Sequence, residues 1–402
     1  MRVFVIAGEP SGDALGAALM AALKTLEPGV MFSGIGGAAM AGQGLASRFP
    51  MSELSVMGLA EILPKYLHLK RRIRETARAI LHAAPDLVVT IDSPDFCLRV
   101  LAQARAANPA LRTVHYVAPT VWAWRPGRAA RMARVVDHVL ALFPFEPPYM
   151  RAAGMSCDFV GHPVVAEPVA TPRQARAFRT AHAIPARAPV LLVLPGSRGG
   201  EIERLAPRFG AALARVLAQR RDARLVVPTV AAQAGRLRAL IADWPGAPPI
   251  VLDAATTGPA DKRAAFGAAN AALAASGTVS LELAAARVPM LIAYDFNPLT
   301  RFLVRRLVRL DSATLVNLVS GTRAVPECLL SDCTPDCIAG KLDRVLDDEG
   351  ARAAQFAAMD LTMDRLGRGM DPPGLRAARS ILGWYRGGPA QPLHLAENTL
   401  GG

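Results

Sequence analysis

The sequence predicts an α/β protein of two similar domains, each a parallel sheet with helices on both faces, the pair facing one cleft. Three observations carry this. Short apolar runs alternate with helical patterns through both halves, the rhythm of parallel strands joined by crossover helices. At 402 residues the chain is long enough for two domains, each with its own core. In both halves, apolar runs break into Gly/Ser-containing loops and resume as helix, and open α/β sheets bind ligands at such carboxyl ends.

Taken in order, residues 3–7 form a strand closed by Gly8-Glu9-Pro10-Ser11-Gly12-Asp13. Leu15, Leu19, Leu23 and Leu26 then recur at helical spacing. If the loop is a plain connector, Asp13 is the helix N-cap; if it is functional, Ser11, Gly12 and the helix start meet a ligand, with Glu9 beside them. Residues 32–37 are the next strand. Residues 57–73 set apolar Met57, Leu59, Ile62, Leu63, Tyr66, Leu67 and Leu69 beside Lys65, Lys70, Arg71 and Arg72, with Pro64 breaking the pattern. Such a segment either lies in a membrane interface, its cations on lipid phosphates, or packs on a core with a solvated basic side. Residues 87–91 form a central strand ending in Asp92-Ser93-Pro94-Asp95, two carboxylates placed for acid–base chemistry or for a turn.

Residues 114–117 are a further strand, followed by Trp122 and Trp124 among Arg125 and Arg128. Rings beside arginines suit a half-wet interface or a packed surface between domains. Strands at 139–142 and 159–160 follow, the second leading to Gly161-His162-Pro163. His162 is a candidate acid or base, a phosphate contact, or a turn histidine.

Residues 168–189 are rich in Ala, Arg and Pro without a strand pattern, which places the domain boundary within 165–185. The expected division is 1–170, 171–345, a helical segment 346–386 crossing back to the first domain, and a disordered tail 387–402. The second half opens on residues 190–194, an apolar strand running into Pro195-Gly196-Ser197-Arg198, with Glu201 just beyond. Unpaired N–H groups at the helix mouth and the fork of Arg198 suit an anion. Residues 271–275 repeat the device with Ser276-Gly277-Thr278, followed one turn later by Glu282, placed for sugar hydroxyls. Two such mouths suggest a nucleotide diphosphate held between them. Residues 300–310 align Arg301, Arg305 and Arg309 on one helical row, a second candidate membrane face or an ordinary surface helix. Asn317 lies in a connecting loop, and Val325-Pro326-Glu327 opens another turn and helix.

The formal net charge is +13, carried mostly by arginine, a field that draws anionic membranes, nucleic acid or phosphorylated substrates alike. Aromatic residues are only 5% of the chain and no nucleic-acid reading motif is present, so nucleic acid is not the expected partner. No apolar stretch reaches the roughly 18 residues of a membrane span. Glu9 and Asp13 interrupt the one region that resembles a signal peptide, which points to the cytoplasm. The five cysteines include no Cys-x-x-Cys pair, and Cys328, Cys333 and Cys337 read as buried or half-buried thiols on a helix rather than a metal site.

Read together, these stretches resemble the lipid-A-disaccharide synthase family of inverting glycosyltransferases. The matching residues are Gly8 to Asp13 (GEPSGD), Met57-Gly58 with Glu61 to Leu63, Ile91 to Phe96 (IDSPDF), Tyr116 to Trp124 (YVAPTVWAW), Phe143 to Glu146 (FPFE), Gly161-His162, Leu194 to Arg198 with Glu201, Ala275 to Thr278 with Leu281-Glu282, Asn317 and Glu327. Cys97, Val316 and Leu330 depart from the residues common in the family.

The resemblance implies a GT-B fold, two Rossmann-like domains, and a reaction. The donor is UDP-2,3-diacylglucosamine, the acceptor 2,3-diacylglucosamine 1-phosphate (lipid X), and the products a β-1',6-linked disaccharide 1-phosphate and UDP. It implies no metal or other cofactor, a peripheral position on the cytoplasmic face of the inner membrane, and permits a homodimer. Carried onto this chain, Asp92 is the base with Asp95 as alternative. Gly196, Ser197, Arg198 and Ser276 to Thr278 hold the diphosphate, Glu282 the ribose, and Asn317 lies near the nucleotide. Glu9, Ser11, Gly12 and His162 line the cleft. Met57, Leu59, Ile62, Leu63, Arg301 and Arg305 meet membrane or acyl chain. Two rivals remain: a UDP-sugar epimerase or soluble-acceptor transferase of the same fold, and, on charge alone, a nucleic-acid-binding protein.

Overall fold

The computed structural model describes residues 1–54, 62–121, 127–296, 301 and 312–387, with backbone alone for 62–66. Met57, Leu59, Trp122, Trp124, Arg125, Arg305, Arg309 and the tail from 388 therefore lie outside the described residues, as do the side chains of Ile62 and Leu63. The chain divides into two units, Met1–Pro163 with Gly369–Gly402, and Val164–Arg368.

In the first unit, runs of buried apolar residues make the strands and amphipathic segments make the crossovers. These are β1 (Arg2–Ala7), α1 (Pro10–Leu26), β2 (Met31–Ile35), α2 (Ala38–Gly42), α3 (Ile62–Ala83), β3 (Leu87–Ile91), α4 (Pro94–Ala107), β4 (Thr113–Tyr116), α5 (Gly127–Met132), β5 (His138–Ala141), α6 (Pro147–Ala152) and β6 (Ser156–Phe159). The strands run parallel in the order β2-β1-β3-β4-β5-β6. Phe4, Ile6, Val88, Val139 and Ala141 from the sheet pack with Ile73, Ile80, Val100 and Leu101 from α3 and α4.

Two expectations fail here. Pro64 does not break α3, which runs from Ile62 through it to Ala83 among the described residues. Asp13 does not cap α1, whose N-cap is Glu9. Its buried carboxylate reaches across to α2, accepting from the N–H groups of Gly37 (2.8 Å), Ala39 (2.9 Å) and Met40 (3.0 Å).

The second unit comprises α7 (Pro172–Ala181), β7 (Val190–Leu194), α8 (Gly199–Ala218), β8 (Arg224–Thr229), α9 (Ala234–Ile241), β9 (Ile250–Asp253), α10 (Pro259–Ala268), β10 (Ala271–Ala274), α11 (Val279–Ala285), β11 (Met290–Tyr294), α12 (Leu315–Ser320), β12 (Glu327–Leu329), α13 (Pro335–Asp347) and α14 (Glu349–Arg365). Its sheet is parallel, ordered β12-β11-β10-β7-β8-β9. Val193, Phe209, Leu213, Leu225, Leu273 and Leu342 are among its core. The stretch read as strandless and Pro-rich holds α7, started by a capping box between Thr171 and Gln174. Residues 327–329, read as the start of a helix, are instead the edge strand β12, paired in register with β11. Of the three clustered cysteines, only Cys337 is on a helix: Cys328 is on β12 and Cys333 precedes α13. No group of three or more metal-ligating side chains occurs among the described residues.

The last helix, α15 (Pro373–Tyr385), belongs to the first unit, while α14 stays with the second. Gly374 lets α15 approach α1: a Cβ there would stand 2.9 Å from the Ala18 carbonyl oxygen. Its far end is held by polar contacts. Ser380 Oγ lies 2.8 Å from His138 Nε2 and donates to Asp158 Oδ2 at 2.7 Å, and Trp384 stacks on the His138 ring.

Candidate active site

In each sheet, two neighbouring strands send their connections in opposite directions, opening a crevice at their carboxyl ends. The first sheet reverses between β1 and β3. There the loop Gly8-Glu9 meets Asp92-Ser93, so closely that a Cβ on Gly8 would stand 2.5 Å from Ser93 Oγ. Gly12 packs on the Ile91 carbonyl in the same way, at 3.3 Å. A side chain at position 8 would displace Ser93, and one at position 12 would crowd the Ile91 carbonyl. Glu9 is exposed on this loop and Ser11 in the first turn of α1.

Asp92 and Ser93 both adopt left-handed backbone, φ 52° and 42°. Two consecutive non-glycine residues in this region carry strain that the surroundings must hold, a condition associated with functional sites. Here the Asp92 N–H donates to the Tyr116 carbonyl (2.9 Å) and the Ser93 N–H to Asp92 Oδ1 (2.8 Å). The half-buried Asp92 carboxylate is thus fixed at the mouth with Oδ2 left for other work. Asp95 is in the first turn of α4, its side chain 90% exposed and 3.4 Å from Arg128. The geometry favours Asp92 over Asp95 as a positioned carboxylate.

His162 sits three strands away, beyond the end of β6, buried against Phe143 with ring centroids 5.4 Å apart. Burial pushes its pKa down to about 4, so at neutral pH the ring is uncharged. Glu146, in the same cluster, is buried and accepts from the Leu142 and Phe143 N–H groups, bracing the end of β5.

The second sheet reverses between β7 and β10, whose ends are tied by Ala275 N–H to the Leu194 carbonyl (2.8 Å). The two predicted mouths, Gly196-Ser197-Arg198 and Ser276-Gly277-Thr278, are therefore neighbours. Gly277 and Thr278 are exposed, and Ser276 Oγ donates to the Ala313 carbonyl at 2.7 Å. Glu282, on the first turn of α11, accepts from Lys262 Nζ at 2.5 Å. Arg198 has a 78% exposed side chain and donates through Nη1 to Glu201 at 3.0 Å.

Two further site residues are engaged by protein partners. Asn317 is buried and spends its amide on protein: Nδ2 donates to the Val325 carbonyl (2.9 Å) and Ser312 Oγ (3.3 Å), while Oδ1 accepts from Val325 N–H (3.0 Å). It brackets a loop. Arg301 turns to the buried Asp295, shared with Arg208 at 2.7 Å. Burial pushes the Asp295 carboxyl up, but hydrogen bonds from Arg301 and Arg208 outweigh it and hold the group below the usual carboxylate range. Sequence reasoning missed this cluster and Tyr294, whose hydroxyl donates to Glu201 at 3.0 Å. Their signal was slight: Tyr294 and Asp295 close an apolar strand where a functional residue and a turn look alike.

A family model described as lipid-A-disaccharide synthetase matches residues 3–368. The chain belongs to this family. Relatives of the same name include the lipid-A-disaccharide synthase of Ruegeria pomeroyi, 62% identical over 95% of this chain and 95% of that protein. That of Rhodospirillum centenum is 49% identical over 95% and 94%. Membership in the lipid-A-disaccharide synthase family makes the protein a glycosyltransferase of lipid A biosynthesis. Among solved structures, UDP-GlcNAc 2-epimerase from Neisseria meningitidis bound to UDP-GlcNAc matches at TM-score 0.65 and 11% identity over 95% of this chain and 98% of that one. A glycosyltransferase from Rickettsia africae matches at TM-score 0.58 and 12% identity over 96% and 99%. At such identities the likeness concerns the fold, GT-B with two Rossmann-like units.

Proposed function

We propose that the protein joins UDP-2,3-diacylglucosamine to 2,3-diacylglucosamine 1-phosphate by a single inverting displacement. The acceptor's 6-hydroxyl oxygen attacks the donor's anomeric carbon as its proton passes to Asp92. The bond from that carbon to the diphosphate oxygen breaks, and UDP leaves with the electron pair. The product is the β-1',6-linked disaccharide 1-phosphate. In this reading the second unit holds the donor, with Arg198 and the loop Ser276–Thr278 against the diphosphate and Glu282 at the ribose, and the first unit supplies the base.

The observation that supports the reading is the strained Asp92-Ser93 pair at the β1/β3 reversal, which holds a half-buried carboxylate at the carboxyl end of the sheet. A membrane-surface site for the reaction suits acylated substrates. No helix among the described residues is long and apolar enough to cross a bilayer, and α3 shows an exposed Leu67 (72%) four residues before the exposed Arg71. The test is product analysis after mixing the purified protein with both acylated sugars. Formation of the disaccharide 1-phosphate and UDP is expected; release of a 2-epimerised sugar or hydrolysed donor instead would reject the transfer.

A further inference from the structure

Glu201 is the most heavily contacted carboxylate at the β7 mouth. Its side chain is 14% exposed. Oε1 accepts from Arg198 Nη1 (3.0 Å) and from the Tyr294 hydroxyl (3.0 Å), while Oε2 faces the N–H groups of Ser197 (3.3 Å) and Arg198 (3.4 Å). Gly196, at φ 118°, makes room: a Cβ there would stand 2.7 Å from Oε2. The backbone donors expected to cradle an anion are thus already directed at the protein's own carboxylate. At this mouth an incoming diphosphate meets the side chain of Arg198, with the loop Ser276–Thr278 on its other side.

That side chain is long and exposed, and an untethered arginine loses substantial rotamer freedom when it clamps a ligand. Glu201 engages only Nη1, and an argininium has five N–H donors in a rigid fork. Glu201 in turn sits on the first turn of α8, where a solvated carboxylate would wander. Tyr294, at the end of β11 and packed edge-on against Phe296 (5.0 Å), reaches it with a fixed phenol. Burial, and the adjacent Glu201 carboxylate, push the Tyr294 pKa up to about 12, so the hydroxyl keeps its proton and donates.

We propose that Tyr294 is a positioning residue for the nucleotide diphosphate, holding Glu201 so that Glu201 in turn orders the Gly196–Arg198 loop and aims Arg198. This rests on the reading of Arg198 as the diphosphate clamp. Tyr294 touches no substrate; it acts through two side chains.

The experiment is UDP titration by calorimetry of the full chain, with melting temperatures measured in parallel, for Tyr294→Phe, Arg198→Ala and the double variant. Tyr294→Phe keeps the ring and its packing and is expected to weaken UDP binding about 3- to 10-fold with little change in melting temperature. Arg198→Ala is expected to weaken it more than 10-fold, on the order of a lost charge-assisted contact, and the double variant no further than Arg198→Ala alone. If Tyr294→Phe binds normally, or its effect adds in full to that of Arg198→Ala, the relay is wrong and the clamp stands. If Arg198→Ala itself binds UDP normally, the clamp is wrong and the relay falls with it. Should Tyr294→Phe prove unstable, Glu201→Gln, which keeps an acceptor but loses the charge, serves in the same cycle with the same outcomes.

Discussion

A carboxylate at a strand end is common; one held by two successive left-handed residues is not, and the difference can be measured. Asp92→Asn keeps the shape and the Oδ1 acceptor for Ser93 N–H but removes the basic oxygen. Turnover should fall by about 100- to 10,000-fold, the usual contribution of a general base, with UDP affinity within about 2-fold of the parent because the donor is read by other residues. Normal turnover in that variant would return Asp92 to a purely structural role. Asn317 makes the opposite case. Its amide pairs with both backbone groups of Val325, so Asn317→Ala leaves a buried N–H and C=O unpaired. A loss of about 2–4 kcal/mol follows from two such groups, read as a lower urea midpoint, whereas direct contact with nucleotide would show as weakened UDP binding at unchanged stability.

Elements were legible where their signal was long and periodic. The strands at 3–7, 87–91, 190–194 and 271–275 stand out as apolar runs, and the loops after them are the ones that meet at the two reversals. What escaped was either short or decided by partners far away in sequence. β12 is three residues behind a proline, too short for alternation to show, and exists because β11 offers it a ladder. Asp13 has the chemistry of a cap, but which helix it caps depends on a segment 24 residues on. The commitments of Asn317 and Arg301 depend on where Val325 and Asp295 fold, which no local pattern encodes. The helix α15 shows the same dependence: nothing local fixes its place on α1, yet Gly374 is what permits it. Gly374→Val would drive two methyl groups into the Ala18 backbone and force the helices apart. A cost of about 1–3 kcal/mol is expected from such overpacking, with amide exchange in α15 rising well before that in β1 or β3. Unchanged protection of α15 would show that its polar anchors, His138 and Asp158 to Ser380, hold it without the close approach.

At the scale of the molecule, the buried histidines set how the two units respond to acid. His115, His138 and His162 all lie in the first unit, and each has its pKa pushed down to about 4 by burial. For His138 the nearby Asp158 pulls the other way, 3.8 Å from the ring nitrogen, without overcoming the desolvation. In the unfolded chain these rings titrate near the ordinary value of about 6.5. Between that value and about 4 the unfolded state therefore binds more protons than the folded one, and folding stability drops as pH drops. The stabilising contribution of the neutral rings is complete above the upper value and is lost by the time pH reaches the lower one, up to about 3 kcal/mol for each ring. In the second unit, the carboxyls of Asp253, Asp295, Asp348 and Asp360 are held below their ordinary range, so their contribution is lost only at still lower pH. The first unit should consequently fail first on acidification from neutrality, seen as early proteolytic cleavage within residues 1–163 at pH 5 while the second unit stays resistant. His138→Gln, which can still hydrogen-bond to Ser156 and Ser380 but takes up no proton, should flatten the fall in urea midpoint between pH 7 and pH 5 by about a third, its share among three similar groups. Equal acid sensitivity of both units, or an unchanged slope in that variant, would mean that the protons are taken up elsewhere.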